Sequence, residues 1–287
     1  MSLPPKVFDR PLIRAHLARR SRGHADFVTA LALEDLAERL IAVTRSFKRA
    51  LIIAPDATPL PLMARSKNGS FAFERASTIL PSPGATILDP EALTLPRTDY
   101  DLIVSIFDLQ VINDVPGFLA RIKAHLVPDG LFLAAAIGGA TLTELRQSFL
   151  AADAEISGGA FGRVAPFIPL SDVGGLLQRA GFALPVTDVE THTVRYGNPF
   201  ALMSDLKALG ASNPLADRPS RLATRRLLAT AAEAYSGLAT DLDGRVRATL
   251  EIIWLSGWSP HESQQKPLAP GSAEVSLSKV LGKKPGG

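Results

Sequence analysis

Between Arg49 and Gly139, short apolar runs alternate with helical patterns and turns. ALIIA (Ala50–Ala54), SFAFE (Ser70–Glu74), ATILD (Ala85–Asp89), YDLIVSIF (Tyr100–Phe107) and LFLAAAIGG (Leu131–Gly139) read as strands. The fourth is apolar at consecutive positions, so both of its faces are covered. Strands of this kind separated by helices form a parallel sheet with helices on each side. VPGFLARIKAHL (Val115–Leu126) is one such helix, with Phe118, Ile122 and Leu126 on one side, and VPDG (Val127–Gly130) is a turn by composition. Upstream, Leu33, Leu36, Leu40 and Val43 recur at three- and four-residue steps and predict an amphipathic helix. Glu34 and Asp35 in its early turns suit the helix dipole.

The second half is more mixed. TLTELRQSFL (Thr141–Leu150) and SDVGGLLQRAG (Ser171–Gly181) predict helices, the latter capped by Ser171 and stopped by Gly181. VTDVETHTVRY (Val186–Tyr196) alternates as a strand does, a helical block covers about 198–237, and ATLEIIWLSGW (Ala248–Trp258) returns to strand. The chain therefore divides into a helical arm and helix (1–48), an α/β core (49–197), a helical insertion over the carboxyl edge of the sheet (198–247), and a last strand with a tail packed on the core (248–287). Met203, Leu206 and Leu209 face either a pocket or the core of the insertion. Trp254 and Trp258 share one face of a strand, to hold a substrate or to fill the core. The Gly138–Gly139 pair ends a strand where ligands sit in open α/β sheets, and either admits a substrate or only turns the chain.

Composition narrows this picture. The 287 residues are 46% hydrophobic and 21% charged, an ordinary globular balance. The net charge of +3 is too small to argue for nucleic acid. Its one concentration is the N-terminus, where Lys6, Arg10, Arg14, Arg19, Arg20 and Arg22 face only Asp9. That segment reads as a solvated helical arm or as a contact for an acidic partner or RNA. The absence of cysteine removes disulfides, thiolate metal sites and cysteine nucleophiles. The five histidines lack metal-ligand spacing, and no metal site is expected. No signal-peptide pattern and no run approaching a membrane helix is present, so a soluble, cytoplasmic protein is expected.

Candidate chemistry starts where the first strand ends. ALIIA runs into Pro55-Asp56-Ala57-Thr58-Pro59, without a glycine. Downstream come an acid closing the second strand, LD closing the third, DYDLIVS as the fourth, and LVPDG before LFLAAA. This order resembles the class I S-adenosylmethionine-dependent methyltransferases. VFDRPLIRAHLARR, GGATLTELRQSF, LLQRAGFALPVTD and GWSPHESQQKPLAPGSAEVSL resemble one subgroup, from Val7 to about Leu281. It contains the methyltransferase-fold assembly factor of mitochondrial respiratory complex I and its bacterial relatives. More distantly, the chain is similar to the malonyl-carrier-protein methyltransferase of biotin synthesis.

The resemblance implies a doubly wound, mostly parallel seven-stranded sheet and S-adenosylmethionine as cofactor. It places the three glycines of the family's Gly-x-Gly-x-Gly turn on Ala54, Asp56 and Thr58, all departures. Glycine there lets the backbone approach the cofactor. A carboxylate at Asp56 faces the methionine carboxylate and repels it. The ribose-binding acid falls on Glu74, 20 residues after Ala54, and the adenine-side acid on Asp89. Each has a second reading, Glu74 as a solvated strand end and Asp89 as the start of a turn. The family's Leu-His-Trp after the fourth strand is Leu109-Gln110-Val111 here. Trp258, His261 and Glu262 lie in the block most specific to the subgroup, as a grip on substrate or partner or as a lock for the tail. Relatives that hydroxylate an arginine keep oxygen chemistry open. No catalytic base is identifiable. Two functions follow from the resemblance: a methyltransferase acting on a protein or small-molecule acceptor, or a non-catalytic assembly or chaperone factor for a partner such as a respiratory complex subunit. An RNA modifier using the basic arm is the weakest.

Overall fold

The computed structural model describes residues 6–20 and 23–264. The tail after Gln264, expected to pack on the core, lies outside the described residues, as does Arg22. The strands are β1 (Ala50–Asp56), β2 (Met63–Ser66), β3 (Gly69–Leu80), β4 (Thr86–Ile87), β5 (Tyr100–Ile106), β6 (Leu126–Ile137), β7 (Ala183–Tyr196) and β8 (Val246–Trp258). The helices are α1 (Arg10–Ala18), α2 (Phe27–Ala42), α3 (Val115–Ala124), α4 (Thr143–Ser157), α5 (Leu170–Arg179), α6 (Pro199–Ala208) and α7 (Arg225–Ala239).

One sheet runs β3-β1-β5-β6-β8-β7, with β2 and β4 sharing the outer edge of β3. β1, β3, β4, β5 and β6 are parallel, and β8 is antiparallel to both of its neighbours. Seven of these strands are those expected; β2 is an added hairpin arm. Side chains alternate across the sheet. Leu51, Ile53 and Ile103 join the layer under α3 and α5, while Ile52, Leu102 and Val104 join Ala32, Leu36 and Leu40 of α2 on the other face. Burial of each such aliphatic side chain contributes about 1.5–3 kcal/mol. Helices α4, α6 and α7 form a third body, packed through Leu145, Leu202 and Tyr235 at the carboxyl ends of the parallel strands.

Several local expectations change. The second strand does not close at Glu74 but runs on to Leu80. Its charged pair is absorbed: Tyr100 donates to Glu74, and Arg75 donates to the Pro83 carbonyl (3.0 Å), so Ala76 to Ile79 continue the core. The two-residue turn Lys67–Asn68, with Asn68-Gly69 as its overlooked signal, folds β2 back on β3. Between β1 and β3 there is a turn and this hairpin, and no helix. ATILD contributes only Thr86–Ile87 to the sheet. VPDG is an excursion inside β6, where Leu126 pairs with Tyr100 and Leu131 with Leu102, and Asp129 takes a positive φ. Ser171 is not a cap but lies in the first turn of α5, after Pro169; Gly181 does follow its end with φ +82. A side chain at Gly138 would strike the Glu251 carboxylate, so that glycine serves a packing contact with β8.

Candidate functional site

The parallel strands empty into a cavity of about 1240 Å³ beneath α4 and α6. Open α/β sheets bind ligands at this edge. The floor is Ala54, Pro55 and Asp56 of β1, Ile79 of β3, Ile106 and Phe107 at β5, and Ile137 of β6. The walls come from α1, α4, α6 and the 210–223 loop. Phe107 holds φ 60 as β5 turns into the crevice, a conformation that costs a bulky side chain energy.

The turn after β1 satisfies its own polar groups. Thr58 donates to the Asp56 carboxylate through its amide (2.9 Å) and its hydroxyl (2.7 Å), and Ser82 donates through its hydroxyl (2.8 Å). The Ala57 amide donates to Ser82 Oγ, and the Leu60 amide to the Ala57 carbonyl. Pro55 and Pro59 have no N–H to offer. Asp56 is 7% exposed and ion-paired with Arg20, which follows α1. Burial alone would raise its pKa, but the Thr58 and Ser82 hydrogen bonds and Arg20 outweigh it, and the carboxyl sits below its ordinary value.

Arg10, the first residue of α1, donates to the carbonyls of Thr78 (2.7 Å) and Val111 (3.2 Å), bridging the ends of β3 and β5. Asp9 caps α1 at the Leu12 amide and pairs with Arg218 of the overlying loop. The basic arm, read as a solvated helix or as a contact for an acidic partner or RNA, thus turns Arg10 and Arg20 into the crevice. Asp108, fully buried just past β5, accepts from Thr78 and Ser105. Burial pushes its carboxyl up to about 7, against the opposing pull of Thr78, Arg10 and Ser105. Sequence reasoning missed Thr78, Ser82 and Asp108, and singled out Arg10 only as one of the arm's basic residues. The basic run of the arm was the one visible signal, and it does not say which arginines turn inward.

Among the residues singled out from sequence, Ala54, Asp56 and Thr58 stand together where β1 ends. Glu74 does not join them. It pairs opposite Leu51 near the amino end of β1, and its carboxylate accepts from the Tyr100 hydroxyl at 2.7 Å. No acid lies between Ala76 and Leu80, the true carboxyl end of β3. Asp89 caps the short 3₁₀ turn Pro90–Ala92 by accepting from the Glu91 amide. Trp258 lies opposite Leu131, at the amino end of β6, because β8 runs antiparallel. Both tryptophans belong to the layer under α2, where Arg39 stacks on Trp254 and Arg45 on Trp258. His261 and Glu262 are exposed beyond Trp258, and His261 Nδ1 is 2.7 Å from Ser263 Oγ. The four residues Glu74, Trp258, His261 and Glu262 are therefore away from the crevice. Among the described residues, no group of three metal-ligating side chains converges, and no helix is long and apolar enough to cross a membrane.

No family model matches the chain. It is 34% identical over 291 residues to the mitochondrial arginine-hydroxylase NDUFAF5 of Danio rerio, covering 96% of this chain and 90% of that protein. Other NDUFAF5 proteins are matched over 42% to 58% of their own length. A malonyl-[acyl-carrier protein] O-methyltransferase of Halorhodospira halophila is 34% identical, over 81% of this chain and 74% of that protein. Among solved structures, a putative methyltransferase of Bacillus halodurans has 13% identity and a TM-score of 0.48, covering 79% of this chain and 98% of that one. By its similarity over almost its whole length, the chain belongs to the methyltransferase-fold family that includes NDUFAF5 and the malonyl-carrier-protein methyltransferases.

Proposed function

We propose that this chain is a methyltransferase-fold factor that handles a partner protein, a respiratory complex subunit under assembly, and does not transfer methyl from S-adenosylmethionine. The observation that carries the reading is the Asp56 carboxylate, held by Thr58, Ser82 and Arg20 at the end of β1. There the chain itself supplies a carboxylate to the Thr58 amide and the Arg20 guanidinium, and a methionine carboxylate would meet like charge. The carboxyl end of β3 offers no acid to a ribose, and Arg10 already spans the gap between β3 and β5. These residues do not fit S-adenosylmethionine held as the family resemblance requires. The partner half of the reading rests on the NDUFAF5 relationship.

Calorimetric titration of the purified chain with S-adenosylmethionine and S-adenosylhomocysteine tests the first half. No saturable heat and no thermal shift at millimolar ligand is expected; micromolar binding overturns it and restores the transferase reading. For the second half, a deletion strain should lose assembled respiratory complex on native gels. The wild-type chain and Asp89→Ala should both restore it. Normal complex in the deletion strain sinks the partner assignment.

A further inference from the structure

The cavity is larger than the roughly 300–1,000 Å³ of most small-molecule sites. Its wall is aliphatic and aromatic: Leu12, Leu17, Phe149, Met203 and Leu206 line it while only half-buried, so apolar surface stays open to the chamber. Contact with water along such a wall costs free energy that a hydrocarbon ligand would recover.

The charges around this wall are unbalanced. Arg20, Arg163, Lys207, Arg218 and Arg221 line the cavity, against Asp26 and Asp56. Both acids are engaged: Asp56 as described, and Asp26 as the cap of α2, accepting from the Thr29 amide and hydroxyl. Arg20, Arg163 and Arg218 are paired with Asp56, Asp153 and Asp9. Lys207, at the end of α6, and Arg221, in the loop before α7, are exposed and make no ion pair among the described residues. Leu222, next to Arg221, also lines the chamber and is 93% exposed. Two exposed cations and an exposed leucine therefore border the chamber, whose inner charges are already paired. A positive rim draws anions toward a low-dielectric cleft.

We propose that this chamber binds a free long-chain carboxylate, with the hydrocarbon chain along α1, α4 and α6 and the carboxylate at Lys207 and Arg221. The site is separate from the partner-handling role argued above and does not depend on it.

The test is displacement of a fluorescent polyene fatty acid from the full chain by oleate, below its micelle concentration. Oleyl alcohol, with the same tail and no charge, is the comparison. Oleate is expected to bind at least about tenfold more tightly than the alcohol. Lys207→Glu with Arg221→Glu should weaken oleate about tenfold and leave the alcohol within about twofold. Leu206→Trp, which narrows the chamber, should weaken both, with circular dichroism confirming that each variant is folded. No saturable displacement, or equal affinity for oleate and alcohol unaffected by charge reversal, overturns the proposal. So does flotation with anionic phospholipid vesicles without displacement of the probe, which would make the rim a membrane contact instead. S-adenosylmethionine is included as a competitor, and displacement by it counts against the reading in the preceding subsection alone.

Discussion

The two ends of this sheet carry different kinds of polar group. At the amino end, the polar contacts stay at the surface, each with at least one exposed partner: Tyr100 with Glu74, Arg49 with Asp99, Arg45 with Asp129. They tie neighbouring segments together. At the carboxyl end, charges are drawn inward, out of water: Arg20 to Asp56, Arg10 to the β3 and β5 ends, and Arg163 to a fully buried Asp153. Groups taken out of water must be paired, so the second set is energetically more demanding. The difference also sorts the residues a family pattern would name. Asp56 lies at the demanding end; Glu74 and the Trp258–Glu262 block lie at the other.

Mutation should separate the two ends. The largest effect is expected at Arg163, whose guanidinium grips Asp153 at 2.6 and 2.7 Å. Arg163→Ala leaves a buried carboxylate unpaired, at a cost of about 3–5 kcal/mol in chemical denaturation. A cost below about 1 kcal/mol would show that this pair does not hold the crevice wall.

Asp108 gives the next effect, read through pH. Its folded pKa of about 7 lies above the ordinary 3.8, so the folded state binds a proton that the unfolded chain has lost between those values. The contribution is favourable below about pH 4 and fades as pH rises toward 7, with a limiting slope of about 1.4 kcal/mol per pH unit. Asp108→Asn should flatten the stability profile between pH 4 and 7; an unchanged slope would assign the pH dependence elsewhere.

Arg20→Ala should cost about 1–2 kcal/mol, less than a fully buried pair because Arg20 is one-third exposed. In a double-mutant cycle with Asp56→Asn, the two losses should not add. Additive losses would mean that the ion pair is incidental. The smallest effect belongs to the amino end. Tyr100→Phe removes one hydrogen bond to Glu74, worth about 1 kcal/mol, and should leave oleate displacement unchanged. A change in ligand binding there would contradict the separation of the two ends.

Much of the architecture was legible in the pattern of residues. The consecutive apolar positions of Ala50–Ala54 and Tyr100–Phe107 announced central strands of a parallel sheet, and Gly181 marked the end of α5. The Asn68-Gly69 hairpin went unread because β2 is short and partly exposed. Glu74 was misplaced because a charged pair resembles a strand end, and only the Tyr100 hydroxyl and the carbonyls around Arg75 explain how the strand runs through it.

The sequence of strands along the chain and the faces they bury were properties of the sequence itself, since they follow from local periodicity, whereas the helix expected between strands stands between β5 and β6 but not between β1 and β3. So was the glycine-free run Pro55–Pro59 after β1. What that turn holds was decided by tertiary structure. Arg20 meets Asp56 across 36 residues, Arg10 meets Thr78 across 68, and Trp258 is carried to the far end of the sheet by the antiparallel turn of β8. Ion pairing and strand direction depend on which distant segments fold against each other, and no local pattern records that.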